Sequence, residues 1–189
     1  MTPARRQFLI GATAVAAFPR AALAADYSID WQGEPVDPAV LARIERQIAM
    51  VRAVPVRADI KAFWAAETIH INRKPGEGSR AADQVFLTRD PFPDDNPVLL
   101  HELIHSWHFA KLANTPRVQP LRDAFAAEKA QPHWPARAYM YTDISEYLAM
   151  CASVVIHGHA ARPPYTREDV RAKLPATYAF IIQEFGVTL

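Results

Sequence analysis

The chain has 189 residues, of which 50% are hydrophobic and 22% charged, and its formal net charge is +1 at pH 7. This length fits one domain with a buried core, and the composition excludes a disordered or fibrous protein. The near-neutral charge excludes the strongly basic surface of nucleic-acid-binding proteins, so we expect no nucleic-acid partner.

The first predicted element is an export signal in residues 1–24. Arg5 and Arg6 precede an apolar run over residues 8–18 and a small-residue exit, "ALA", which is the three-part order of a secretory signal. The arginine pair resembles a twin-arginine signal. A plain Sec signal and an N-terminal membrane anchor are the alternatives, although the apolar run is too short to span a bilayer.

Removal of this signal would leave one domain over residues 25–189. The signal carries three arginines and no acidic residue, so the formal charge would fall from +1 to −2. We therefore expect a periplasmic or extracellular protein with no stable membrane insertion after signal cleavage.

Two helices and two strands are predicted in the first half of this domain. Asp37 is the expected N-cap of an amphipathic helix, "PAVLARIERQIAMVRAV". The segments "TIHIN" and "DQVFLT" have the pattern of short strands, separated by the turn-rich "RKPGEGSR". The loop "RDPFPDDNP" supplies Asn96 as N-cap and Pro97 as first residue of a helix that runs to about Ala113.

Helices dominate the second half. "PLRDAFAAEKA" is a predicted short helix, whereas "QPHWPARAYMY" is ambiguous. "DISEYLAMCASVVIH" predicts a helix that ends at Gly158, and two helices divided at Pro175 follow. The single cysteine, Cys151, cannot form an internal disulfide and is expected to be a buried hydrophobe rather than a reactive thiol. The predicted fold class is α+β, mostly helical with a small sheet.

One predicted helix carries a metal-binding pattern. Residues 97–109, "PVLLHELIHSWHF", contain a complete H-E-x-x-H motif from His101 to His105. Residues four apart share a helix face, so both imidazoles could reach one zinc ion about 2 Å away. Glu102 points to the side of the pair, where it could take a proton from water without binding the metal.

The surroundings of the motif favour a metal over a chance match. Apolar residues cover the helix on nearly every side, and such a helix is normally buried. Burial of two histidines and a glutamate without partners would cost several kcal/mol, and a bound metal would offset that cost. The alternative is a pair of core histidines satisfied by hydrogen bonds.

A catalytic zinc site usually has a third protein ligand. The extended H-E-x-x-H-x-x-G-x-x-H motif is absent, because positions 108 and 111 are His and Lys. Glu146 is the candidate, since it lies in a later apolar helix. In the alternative interpretation, Asp143 and Glu146 form a capping box and Glu146 is a surface residue. His108 is expected beside the metal rather than bound to it.

The combination of "HELIH" with "YMYTDISEYLAM" and "KLPATYAFI" resembles the catalytic domain of the anthrax-lethal-factor-like zinc metallopeptidases. The resemblance covers residues 97–185, and its first motif alone is shared by many families. It implies a zincin-like fold, a zinc ion and hydrolysis of peptide bonds. The residues that would carry these roles are His101, His105 and Glu146 for zinc, Glu102 as the base, and Tyr139 as a tyrosine that assists the reaction.

The resemblance has two limits. Tyr141 lies near Tyr139 and competes for the role of the assisting tyrosine. The substrate-binding and cell-entry regions of the large toxin have no counterpart in so short a chain, so its substrates do not carry over.

The main hypothesis is therefore an exported zinc-dependent metallopeptidase that acts on a peptide or protein substrate. The first alternative is an exported zinc-binding protein without catalysis, and the second is a zinc amidase that acts on cell-wall peptides. The presence of Glu102 favours an enzyme, because a purely structural site needs no base there.

Overall fold

The computed structural model describes residues 27–188, which contain seven α-helices and a four-stranded sheet. The predicted export signal lies outside the described residues. The strands are β1 (Ser28–Asp30), β2 (Thr68–Ile71), β3 (Arg80–Ala81) and β4 (Val85–Leu87). The helices are α1 (Pro38–Ala53), α2 (Ala58–Ala65), α3 (Val98–Trp107), α4 (Gln119–Ala130), α5 (Ile144–His157), α6 (Arg167–Lys173) and α7 (Pro175–Phe185).

The sheet has the strand order β1-β2-β4-β3. The first three strands in that order are parallel, and β3 pairs antiparallel with β4 at the edge. Ile69 of β2 lies opposite Val85 of β4, and both are fully buried. The strands β1 and β2 can pair in parallel because α1 and α2 form the crossover between them.

The helices α3 and α5 pack against each other at the centre of the molecule. Both are apolar on most sides, and their leucine, isoleucine and valine side chains belong to one continuous core. Trp64 of α2 is fully buried and its indole N–H donates a hydrogen bond of 2.9 Å to the Leu103 carbonyl. The site-bearing helix α3 is therefore held by other helices as well as by the sheet.

Most of the predicted elements are confirmed. Asp37 caps α1 by accepting hydrogen bonds from two backbone N–H groups, and both predicted strands form. The fifth helix ends at Gly158, which has a positive φ of 119°. Pro175 begins α7, and Cys151 is fully buried. The α+β, mostly helical class with a small sheet is thus confirmed.

Three local predictions need correction or completion. Asn96 does not cap α3, because its side chain accepts a hydrogen bond from the backbone of Ala161 instead, and α3 begins after Pro97. The predicted end near Ala113 is reached through a π-helical turn over His108–Leu112. The last residue of the predicted turn, Arg80, opens the edge strand β3.

The N-terminus of α3 is instead capped by a residue from another helix. Gln47 of α1 is fully buried, and its side-chain oxygen accepts a hydrogen bond of 3.0 Å from the Leu99 N–H. Its amide group donates to the carbonyls of Asp94 and Asn96 at 3.4 and 2.9 Å. This contact fixes α3 against α1. No helix within residues 27–188 is both long and apolar enough to cross a bilayer.

Candidate functional site

The first half of the candidate site lies on α3. His101 and His105 are one helical turn apart, so their rings face the same side. Their Nε2 atoms are 3.0 Å apart. Glu102 lies between them in sequence and is buried, with 5% of its surface exposed.

The second half comes from the start of α5. Asp143 is the N-cap and accepts hydrogen bonds from the N–H groups of Ser145 and Glu146. The Glu146 side chain turns inward, so that its Oε2 lies 3.3 Å from His101 Nε2 and 3.4 Å from His105 Nε2. Asp143 therefore caps α5, as the capping-box interpretation predicts. Glu146 contacts both histidines, as its interpretation as the third metal ligand requires.

These three donor atoms fit one divalent cation. Their separations are 3.0, 3.3 and 3.4 Å, whereas tetrahedral zinc with bonds of about 2.0–2.1 Å would need edges of about 3.3–3.4 Å. Glu146 Oε2 is buried and has no hydrogen-bond donor within the described residues. A cation on the open side of the triangle would supply the missing partner. His101, His105 and Glu146 thus form a candidate metal site.

Hydrogen bonds hold the His105 ring from behind. Its Nδ1 lies 2.6 Å from Ser145 Oγ, and the same hydroxyl lies 3.2 Å from Nδ1 of His108. A histidine whose second nitrogen is engaged presents the other nitrogen in a fixed direction. His108 is buried beside the site but is not part of the donor triangle.

The charges of the site favour the metal-binding protonation states. Burial and the neighbouring His105 lower the pKa of His101, although contact with Glu146 opposes this shift. Burial raises the pKa of Glu146, but its contacts with the two histidines outweigh that effect and hold the pKa well below its usual range. Neutral imidazole and ionised carboxylate are the forms that bind a metal.

Glu102 has a different environment from Glu146. No hydrogen bond from the rest of residues 27–188 reaches its carboxylate. Burial, followed by repulsion from Glu146, raises its pKa to about 8, while Arg80 opposes the rise. A carboxyl with a raised pKa holds a proton more readily than an ordinary glutamate, which suits a group that accepts and then returns one.

Tyr139 reaches the site from outside α5. It lies in a 3₁₀ turn, Tyr139–Tyr141, and its hydroxyl donates a hydrogen bond of 3.0 Å to Oε1 of Glu146. Burial and this contact raise its pKa to about 12, so the phenol stays protonated at neutral pH. The residue as a whole is 46% exposed and lines the cleft. The phenol can therefore donate a hydrogen bond to a bound molecule.

Tyr141, the competing tyrosine, points away from the donor triangle. Its hydroxyl donates to the buried carboxylate of Glu128, which also accepts from the backbone and ring of His133. Burial and the Glu128 contact raise the pKa of Tyr141 well above its ordinary value. Tyr141 therefore anchors the turn that presents Tyr139.

Two cavities meet at the site. A larger one of about 550 Å³ and a smaller one of about 150 Å³ share four lining residues. These shared residues are Ser79, His101, Glu102 and Tyr139. A bound chain could thus extend to both sides of the donor triangle.

Several residues of the site had no signal in the sequence. Ser145 supports His105, Gln47 caps α3, and Arg162 lines the larger cavity. Each acts through a contact with a residue far away in the chain, which spacing rules do not reveal.

Comparison with protein-family models gave no match, and no curated protein matches the chain. Among solved structures, the Pro-Pro endopeptidase PPEP-2 from Paenibacillus alvei is similar, with a TM-score of 0.60 and 15% sequence identity. The similarity covers 86% of this chain and 99% of that one. At this identity it shows the fold alone, which is an α+β, zincin-like fold. It does not support the lethal-factor-like family in particular.

Proposed function

We propose that this chain is an exported zinc-dependent metallopeptidase. The observation that carries the proposal is the triangle of donor atoms from His101, His105 and Glu146, which lies beside the buried Glu102 in an open cleft. The solved structure with the similar fold is that of a peptidase, which favours a peptide or protein substrate.

The three ligands leave room for catalysis rather than closing the site. A structural zinc usually has four protein ligands, whereas a catalytic one has three and an open position. When bound, zinc would supply Lewis-acid chemistry by polarising a carbonyl and lowering the pKa of water to about 7. The described residues provide one group of three donors. All three donors line the smaller cavity, and His101 also lines the larger one.

Glu102 would act as the general base and then as the general acid. Its carboxylate lines both cavities and is free of hydrogen bonds from the rest of residues 27–188. It would accept a proton from the attacking water and transfer that proton to the leaving amine. The new C–O bond forms first and leaves negative charge on the carbonyl oxygen, and the peptide C–N bond breaks when the amine receives the proton from Glu102.

Tyr139 would stabilise the negative charge that develops on the carbonyl oxygen. Its hydroxyl lies 3.0 Å from Glu146 Oε1, next to the donor triangle. It would exchange this partner for the substrate oxygen as charge develops there, which is the role of an oxyanion-hole donor.

Metal analysis combined with peptide-library cleavage tests this function. The purified protein should contain about one zinc per chain, and a chelator should abolish cleavage in a way that added zinc reverses. Zinc binding without cleavage of any peptide would favour the non-catalytic alternative. Cleavage limited to cell-wall peptides would favour the amidase.

Export to the periplasm or cell exterior is part of the proposal. It rests on the order of the arginine pair, apolar run and small residues within residues 1–24. N-terminal sequencing of protein from cell fractions should find a chain that starts near Ala25 outside the cytoplasm. An intact Met1 in a cytoplasmic form would contradict this.

A further inference from the structure

The larger cavity combines apolar walls with one cationic side chain. Its apolar lining includes Phe92, Val98, Met150 and Ala161. Arg162 lies at the same cavity and is exposed. At about 550 Å³, the space is large enough for a bulky apolar side chain and part of the adjoining backbone.

The guanidinium of Arg162 has no acidic partner within residues 27–188. It lies over the ring of Tyr139, whose centroid is 5.7 Å from Cζ. Other arginines are paired with acids, as in Arg46–Asp94 and Arg117–Glu184. An arginine held over an aromatic ring keeps its planar donors free for a carboxylate.

The location of Arg162 links this free cation to the reaction centre. Tyr139 contacts both groups. Its ring lies under the Arg162 guanidinium, and its hydroxyl lies 3.0 Å from Oε1 of Glu146. One extended residue spans about 3.3–3.6 Å. A carboxylate bound by Arg162 would therefore lie within about two or three residues of the bond positioned at the donor triangle.

We propose that Arg162 is a specificity-determining residue that binds a substrate carboxylate beside an apolar residue seated in the larger cavity. The carboxylate has two possible sources, a C-terminal carboxylate or an aspartate or glutamate side chain. This inference rests on the proposed peptidase function for its meaning, but its binding step can be measured separately.

Four fluorescent peptides would test it. They share an alanine-rich sequence with one leucine. The first ends in a free carboxylate directly after the leucine, and the second is the same peptide amidated. The third and fourth are amidated and carry glutamate or glutamine after the leucine. Affinity is measured by anisotropy on zinc-loaded Glu102→Gln protein, and cleavage is measured on the otherwise wild-type chain.

We expect a charged peptide to bind about 10-fold or more tightly than its neutral match, the scale for a hydrogen bond to a charged group. Arg162→Gln should remove that difference, and Arg162→Lys should restore part of it. The control Arg171→Gln removes an exposed charge that lines neither cavity and should preserve the difference. The peptide pair in which the charged member binds more tightly than the neutral one identifies the source of the carboxylate.

Failure of this inference is separable from failure of the proposed function. Equal affinity for charged and neutral peptides, or discrimination that persists in Arg162→Gln, overturns the role of Arg162 even if the peptides are cleaved. Discrimination in binding that depends on Arg162, with no cleavage of any peptide, supports the role of Arg162 and counts against the peptidase.

Discussion

Glu102 is the residue on which binding and chemistry should separate. Its carboxylate lines both cavities but does not belong to the donor triangle. We therefore predict that Glu102→Gln retains zinc at the wild-type stoichiometry and lowers the rate of peptide hydrolysis by about 10²–10⁴-fold, the usual contribution of a general base. Zinc content and kcat/KM measured on the same preparation check this.

A matched control for that variant is Glu168→Gln. Glu168 is exposed on α6 and lines neither cavity, so its removal should leave both zinc content and rate unchanged. Near-normal hydrolysis by Glu102→Gln would remove Glu102 from the mechanism. Loss of zinc in that variant would show that the residue supports the metal site instead.

The two tyrosines of the 3₁₀ turn should respond differently to loss of the hydroxyl. Tyr139→Phe removes a donor at the cleft, so we predict unchanged zinc content and a rate lower by about 10²–10³-fold, the scale for one oxyanion-hole donor. Tyr141→Phe removes the donor to buried Glu128. It should lower the free energy of unfolding by about 1–3 kcal/mol, because a charged acceptor loses a partner.

Urea unfolding and turnover measured on both variants distinguish these roles. A stability loss in Tyr141→Phe with near-normal kcat at low temperature is the expected pattern. A large rate loss in stable Tyr141→Phe, with normal turnover in Tyr139→Phe, would reverse the assignment.

At the scale of elements, the orientation of α3 depends on a cap donated by α1. The Gln47 side chain accepts a hydrogen bond from the N–H of Leu99 and donates to the carbonyls of Asp94 and Asn96. Gln47→Leu keeps a similar volume but leaves a buried N–H without an acceptor. We predict a loss of about 2–4 kcal/mol in the free energy of unfolding, since an unsatisfied buried polar group costs about 1–3 kcal/mol and several groups are affected.

The control for this cap is Gln119→Leu. Gln119 is exposed at the start of α4, and among the described residues its side chain bonds only to Asp123, one turn further along the same helix. Its replacement should change stability by no more than about 0.5 kcal/mol. Denaturant unfolding of the two variants under identical conditions gives the comparison, and equal midpoints would show that the Gln47 cap does not stabilise α3.

The sequence predicts those elements whose signals are local. The Asp37 cap, the strand segments and the positive-φ glycine at position 158 each depend on a few consecutive residues, and all three form. The pair His101 and His105 also follows from helical spacing alone.

Predictions fail or stop where a distant residue competes for the same group. Asn96 has the composition of an N-cap, but Gln47 bonds to the Leu99 N–H and leaves the Asn96 side chain for Ala161. The contacts of Ser145 with His105 and of Arg162 with Tyr139 likewise arise only when α3, α5 and the loop after α5 pack together. Spacing within one segment carries no information about such pairs.

At the scale of the whole molecule, the candidate metal site joins two helices that are far apart in the chain. His101 and His105 come from α3 and Glu146 from α5, and these helices also form the centre of the core. A metal that binds all three donors in the folded chain and few of them in the unfolded chain must stabilise the fold.

We therefore predict that the melting temperature rises with free zinc concentration. At a concentration 100-fold above Kd the gain is about 2.7 kcal/mol, which corresponds to about 5–10 °C for a chain of this size. Glu146→Ala should flatten this dependence because it removes one of three ligands, whereas Tyr139→Phe should retain it. Magnesium should not replace zinc, because it prefers six oxygen ligands in an octahedron.

Calorimetry across a zinc titration, with a chelator-treated sample as the starting point, measures how the melting temperature depends on zinc concentration. A wild-type melting temperature that is independent of zinc would contradict metal binding at this triangle, and an equal slope in Glu146→Ala would exclude Glu146 as the third ligand.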